Sequence, residues 1–376
     1  MLGLAVGVLA ILAGCSRPPA RPAAPDFYPP LPEKPRVQFL CALNSSEDVR
    51  PQPGGFARFV LGASGKREVD YLVRPYGMAL WEGKLYVCDS GARRGDVFDF
   101  KGKDFRTFGE EGPFRLGLPV NVSVGPEGEK YVTDTLRGQV LVLDRDDRPA
   151  RSFVREDEMK PCDAVRYGGE LFVADLKTNT ILVLDAASGK LLRQFGRAGS
   201  EPGEFYQPTN LAFGPEGHLF VSDTLNARVQ ELDRDGKVVR VIGSRGRALG
   251  QMVRPKGIAV DRAGRLYVCD AATESVQLFD PEGRLLMIVG RPGSGRGGLS
   301  LPAKVALSYD GVEYFAKHAA LGFHVEYLIF VSSQLGPSKI NVYAFGTYSG
   351  APRPGEGGLE RVILPSTPAP GPKQGH

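Results

Sequence analysis

Three oxygen-bearing side chains, Asn121, Asp163 and Asn210, each stand two residues after a proline, in Pro119-Val120-Asn121, Pro161-Cys162-Asp163 and Pro208-Thr209-Asn210. Amide and carboxylate oxygens are the ligands calcium prefers, and it takes several at once, so a shared site requires the three to converge. The same position after an equivalent proline reads Gly77, Gly257 and Lys304, with Tyr76, Thr209 and Lys256 alongside. No Glu completes the set, and Lys256 and Lys304 would repel a cation. Two expectations follow. Either Asn121, Asp163, Asn210, Tyr76, Lys256 and Lys304 form a cation or small-ligand site, or these are polar strand ends that satisfy backbone groups and water.

The elements that would place them recur. Five segments read aromatic, Val, any residue, Asp: Tyr86–Asp89, Tyr131–Asp134, Phe172–Asp175, Phe220–Asp223 and Tyr267–Asp270, with the aspartates 45, 41, 48 and 47 residues apart. Such periods signal radially arranged or stacked units. Each unit runs from a short apolar strand (Asn210-Leu211-Ala212-Phe213) through a Gly turn to the Asp-ended strand. A third strand follows (Val229 to Leu232), then a second turn and a fourth strand (Val238 to Ile242). Four strands joined by tight turns make one antiparallel propeller blade. An altered sixth unit is read from Pro302-Ala303-Lys304-Val305-Ala306-Leu307, Ile329 to Ser333 and Ile340 to Phe345, with no fourth strand after it. Arg36-Val37-Gln38-Phe39-Leu40 has the fourth-strand pattern and is expected to complete that blade, closing the ring and removing an exposed sheet edge. The expected fold is all-β, a six-bladed propeller over residues 36–346. Once-per-blade placement makes the repeated aspartates turn caps rather than a catalytic set.

These units resemble NHL repeats, which carry a proline before the inner strand and then Asp-x-x-Asn-x-Arg. Asp223-Thr224-Leu225-Asn226-Ala227-Arg228 matches best, and Thr135-Leu136-Arg137 and Ser90-Gly91-Ala92-Arg93 match in part. The resemblance implies the fold but not one function, since such propellers include lyases, lactonase-like enzymes, RNA binders and scaffolds. NHL-type amidating lyases hold zinc with channel histidines, and no inner strand here carries one. Asn121, Asp163 and Asn210 resemble the metal site of lactonase-like propellers, which gives an alternative function as a divalent-cation-dependent hydrolase or small-ligand binder.

Residues 309–327 interrupt the sixth unit. Tyr314, Phe315, His318 and Leu321 fall at helical spacing, and the expected short helix either packs on the ring or offers Tyr314, Phe315, His318, Phe323 and His324 as a docking site. Cys41, Cys88, Cys162 and Cys269 fall in different blades, so no disulfide is expected. No Cys-x-x-Cys-His is present for covalent haem, and no cofactor is expected beyond calcium in the channel.

Residues 2–13 are apolar and uncharged, shorter than the roughly 20 residues of a spanning helix, and end in Leu12-Ala13-Gly14-Cys15. This resembles the lipobox of bacterial lipoproteins, which implies a signal peptide over 1–14 and a lipid on Cys15. Ser16 after that cysteine favours the outer membrane. Residues 15–35 are Pro-rich and read as a tether, and 347–376 as a Pro/Gly-rich tail. Among 376 residues, Lys and Arg number 47 against 43 Asp and Glu, a formal charge of +4. That small excess, spread along the chain, argues against a nucleic-acid partner. Gly (48) and Pro (30) make about a fifth of the chain, too much turn chemistry for a helical bundle. The preferred expectation is a lipid-anchored scaffold in the cell envelope that binds another protein. The altered last blade is similar to NHL-repeat lipoproteins found beside multihaem cytochromes, which implies a cytochrome partner in an electron-transfer assembly.

Overall fold

The computed structural model describes residues 24–50, 68–155 and 158–350. Cys15, the signal-peptide segment and nearly all of the C-terminal tail lie outside the described residues. Six antiparallel sheets form a ring. Blade one comprises Pro75–Trp81, Lys84–Asp89, Arg94–Asp99 and Asp104–Phe108. Blades two to five repeat that order from inner strands Pro119–Val124, Pro161–Tyr167, Pro208–Phe213 and Pro255–Val260. Blade six consists of Pro302–Ser308, Phe323–Ser333 and Ile340–Tyr348, with the N-terminal strand Val37–Leu43 antiparallel to the last of these, Val37 opposite Phe345. Each inner strand packs against the next, and Pro302–Ser308 meets Pro75–Trp81, so the protein is a six-bladed β-propeller.

The apolar core lies between blades. One cluster sets Tyr86, Cys88 and Val97 of blade one against Val122, Val132 and Leu141 of blade two, and comparable clusters recur around the ring. This follows from strands buried on both faces: Val132, Leu141, Val173 and Val183 are fully buried. Each large apolar side chain removed from water contributes about 1.5–3 kcal/mol, so neighbouring blades hold each other in register.

Two segments differ from the sequence reading. Part of the stretch read as tether, Phe27–Tyr28, is a fifth strand on blade six, where Phe27 packs on Phe323 (5.9 Å between ring centres) and Tyr348 (4.8 Å). The helix in the insertion spans only Val312–Phe315, followed by a 3-10 turn at Ala316–His318, and Phe323 already belongs to the next strand. Phe315 packs edge-on against Phe100 (5.0 Å) and Phe330 (5.5 Å), which fixes the helix over the seam between blades six and one. Among the described residues no helix is long and apolar enough to cross a membrane.

Alternation of strand direction sorts the loops onto two faces. The turns after the first and third strands of each blade share one face, here the turn face. The turn after the second strand and the connector to the next blade share the other, the connector face.

Candidate functional site

Every inner strand begins with proline, which has no N–H to give a ladder, and its pairing register shifts just after that proline. A bulge at the same place in each blade turns the following side chains toward the axis. Two tiers result. The residue after the proline forms an upper tier at the connector face: Tyr76, Val120, Cys162, Thr209, Lys256 and Ala303. The next residue forms a lower tier: Gly77, Asn121, Asp163, Asn210, Gly257 and Lys304.

The lower tier is closed on itself. Asn121, Asp163 and Asn210 are fully buried and Lys304 nearly so. Lys304 Nζ reaches from blade six to Asp163 Oδ2 in blade three at 3.1 Å. That oxygen also accepts from Leu211 N at 3.0 Å and Asn210 Nδ2 at 3.4 Å, while Oδ1 accepts from Ala164 N at 2.9 Å. Asn121 Oδ1 accepts from Val122 N at 3.1 Å; Asn121 Nδ2 and Asn210 Oδ1 have no partner. The glycines are set by this crowding. A Cβ on Gly77 would lie 2.1 Å from Asn121 Oδ1, and one on Gly257 would lie 2.3 Å from Lys304 Cα. Blades one and five therefore give up a side chain so that their neighbours can reach the axis.

The structure brings the three proposed calcium ligands to one tier, but with Asp163 already holding an ammonium, two backbone N–H groups and an amide. A divalent cation there would have to displace Lys304, so the donor set does not form an open calcium cage. Among the described residues, no group of three or more His, Cys, Asp or Glu side chains is placed to hold a metal ion.

The upper tier is different. Lys256 Nζ lies 4.9 Å from the centre of the Tyr76 ring. Burial, together with the charges of Arg254 and Arg74, holds its ammonium below the ordinary lysine value. Burial also pushes the Tyr76 phenol well above its usual value and the Cys162 thiol up to about 12, so Cys162 supplies no thiolate nucleophile near neutral pH.

Two sets of side chains hold this tier in place. Hydroxyls of alternate blades bond to the upper-tier carbonyls of the next blade: Thr133 to Cys162 O at 3.0 Å, Ser332 to Tyr76 O at 2.6 Å, and Ser222 to Lys256 O. These occupy the variable position of the aromatic-Val-x-Asp segment or its blade-six counterpart. The alternation of Thr133, Ser222 and Ser332 with Cys88, Ala174 and Cys269 was the sequence signal for them. The repeat aspartates do more than cap their own turns. Asp89 takes Val73 N at 2.6 Å and Arg74 N at 2.9 Å as well as Gly91 N, and Asp270 takes Val253 N at 2.7 Å and Arg254 N at 3.0 Å. Each thus pins the connector that enters its blade. Arg228 closes the best-matched repeat, giving Nε to Asp223 at 2.8 Å while Asn226 Nδ2 bonds the same oxygen at 2.8 Å.

The insertion residues separate. Phe315 and Phe323 are buried in the core and cannot receive a partner, because the helix is held down by Phe100 and Phe330 and the next strand by Phe27. Tyr314 and His324 are half-buried and His318 is exposed, all three on the turn-face side of blade six. Large apolar side chains more than half exposed gather on the connector face instead: Tyr71, Val73, Leu136, Tyr206, Leu249 and Leu335.

No family model matches the chain. Over 130 residues it is 30% identical to peptidylglycine alpha-amidating monooxygenase of Rattus norvegicus, covering 30% of this chain and 13% of that protein, so the chain spans only about an eighth of the length of that relative. Among solved structures it is similar to a streptogramin B lyase, at 14% identity with a TM-score of 0.52, covering 73% of this chain and 94% of that one. It is also similar to XC5397, a gluconolactonase from Xanthomonas campestris, at 16% identity with a TM-score of 0.53, covering 84% and 99%. At these identities the likeness shows the fold: a six-bladed propeller with structural neighbours of the NHL and SMP-30-like type.

Proposed function

We propose that this propeller is a lipid-anchored scaffold of the cell envelope whose connector face binds another protein. The observation that supports it most is the asymmetry between the two faces. Six large apolar side chains more than half exposed stand on the connector face, whereas among the described turn-face loops that class holds only Leu31 and Leu321. Dispersed exposed apolar side chains are ordinary, but a concentration on one face marks an interaction surface. Arg74, Arg254, Lys256 and Lys339 lie on the same face without a carboxylate partner among the described residues, so the complementary partner is acidic. The lipobox resemblance puts this surface outside the cytoplasm with Cys15 as anchor, favouring the outer membrane. The resemblance to NHL-repeat lipoproteins makes a multihaem cytochrome the partner class to test first.

Photo-crosslinkers placed at Leu136 and Leu335, and at Leu321 as the turn-face control, test this in native membranes. One shared, stoichiometric adduct from the two connector-face positions and none from Leu321 is the expected result. Adducts from Leu321 alone, or recovery of the protein uncoupled at low detergent, would refute it. The rival reading, a lactonase-like hydrolase using Asn121, Asp163 and Asn210 around a divalent cation, requires Asp163 to exchange Lys304 for that ion.

A further inference from the structure

We propose that the connector-face mouth of the channel is a binding site for a small oxyanion, a carboxylate or a phosphate, held by Lys256, Arg254 and Arg74 above the Asp163–Lys304 bridge. Lys256 comes from blade five, yet its ammonium sits 4.9 Å from the ring of Tyr76 in blade one, so the two side chains meet at the mouth although blade six stands between their blades. Arg254 and Arg74 each precede the blade proline, two residues before Lys256 and Tyr76, so the chain carries both cations to the mouth where Lys256 meets Tyr76. A fourth cation joins them where Lys339 Nζ donates to Val73 O at 2.9 Å, one residue from Arg74.

The backbone that carries these cations is anchored at the mouth. Asp89 grips Arg74 N, Asp270 grips Arg254 N, and Ser222 holds Lys256 O. Asp89 and Asp270 are committed to backbone N–H groups, and of the acids closer along the chain Asp70 pairs with Arg50 at 3.7 Å and Arg94 at 3.5 Å, and Asp261 with Arg265 at 2.6 Å. No carboxylate pairs with Arg74, Arg254 or Lys256 among the described residues. The Asp163 charge beneath is answered by Lys304. The mouth therefore gathers guanidinium and ammonium donors that no carboxylate compensates among the described residues. An anion that enters it relieves the repulsion and meets fork-shaped donors suited to two oxygens of one carboxylate or phosphate. Asn121 Nδ2, unpartnered and fully buried, lies one tier below. The site needs no protein partner and stands or falls separately from the scaffold reading.

The test is a thermal melt of the full-length protein in increasing inorganic phosphate, in succinate, and in sodium chloride at matched ionic strength. A saturable rise of about 3–5 °C at roughly a hundred times the dissociation constant is expected in at least one of the first two and not in chloride. Saturation in phosphate alone assigns a phosphate ligand, and saturation in succinate alone a carboxylate. Lys256→Met should abolish the rise, and Arg148→Gln, an exposed turn-face change, should keep it. Should Lys256→Met fail to fold by circular dichroism, Arg254→Gln takes its place. A chloride response of equal size, or a saturable rise that survives the mouth substitution, would overturn the proposal.

Discussion

The two tiers of the channel are one residue apart in every blade and treat charge in opposite ways. In the lower tier, an aspartate and a lysine from opposite blades meet at 3.1 Å, and the aspartate is further bound by two backbone N–H groups and an amide. In the upper tier, a lysine lies on an aromatic face with arginines beside it and no acid paired to it. The lower tier is structure: its charges are satisfied by the fold. The upper tier holds charge that the fold positions and leaves uncompensated, which is the condition for recruiting something from outside.

The largest effect that can break this contrast lies in the lower tier. Asp163→Ala leaves the Lys304 ammonium buried without its partner and should cost about 3–5 kcal/mol in denaturant unfolding. Asp163→Ala with Lys304→Met removes both charges and should recover more than half of that loss, because an apolar pair of similar size carries no desolvation penalty. If the single variant loses less than about 1 kcal/mol, the bridge is not the lock described here.

A second buried acid extends the comparison to the third strand of blade one. Asp96 is fully buried like Asp163, but it has Arg94 Nε at 2.8 Å and an Oδ2 with no partner. Burial pushes its carboxyl up to about 7, with Arg94 pulling the other way. A folded value above the unfolded one means the native state binds the extra proton, so this contribution is fully present below about pH 4 and is lost as pH rises through 7. Relative to Asp96→Asn, the unmodified protein should therefore lose about 2 kcal/mol between pH 5 and pH 7.5. Parallel stability curves for the two proteins would show that Asp96 does not titrate in this window.

For the upper tier the expected effect is smaller and opposite in sign. The Lys256 ammonium is held below its ordinary value, so the native state releases its proton more readily than the unfolded chain. Its stabilising contribution is present above the unfolded lysine value near pH 10.4 and is lost as pH falls through the depressed folded one. In anion-free buffer, Lys256→Met should match or exceed the unmodified protein in melting temperature at pH 7, and that advantage should shrink as pH approaches 10.5. A loss of more than about 1 kcal/mol at pH 7 would mean that Lys256 is satisfied where it lies, as the lower-tier charges are.

Much of this was legible in the residues. The period of the aromatic-Val-x-Asp segments and the proline before each inner strand carried the blade count and placed Asn121, Asp163, Asn210, Tyr76, Lys256 and Lys304 around one axis. The pairings among them were not legible, because Asp163 and Lys304 are 141 residues apart and meet only across the closed ring. The spacing also made Lys304 look like an obstacle to a cation, when it is the partner of the one carboxylate in that tier. Phe315 and Phe323 read as available aromatics because helical spacing shows an apolar face without showing what covers it; Phe100, Phe330 and Phe27 do so here. The upper tier was hidden for a different reason. Arg74 and Arg254 sit outside the strand pattern, and their place at the mouth depends on aspartates whose hold on the preceding connector has no local signature.

The smallest expected effect separates the tiers most directly. Calcium at millimolar concentration against chelator should leave the melting temperature unchanged, since a cation would have to expel Lys304 from Asp163 while Lys256, Arg254 and Arg74 repel it at the entrance. The same protein should respond to phosphate or succinate, so the two titrations form a charge-reversal pair on one channel. A calcium-dependent rise of several degrees that disappears in Asp163→Ala would reverse the assignment of the tiers. It would mean that Lys304 yields its place, that Asn121, Asp163 and Asn210 converge on a metal, and that the hydrolase reading stands ahead of the scaffold. Lys304→Met sharpens the outcome further. Freed of its ammonium, Asp163 becomes an open carboxylate flanked by two amides, so a calcium response that arises only in this variant would show that Lys304 keeps metal out of the channel.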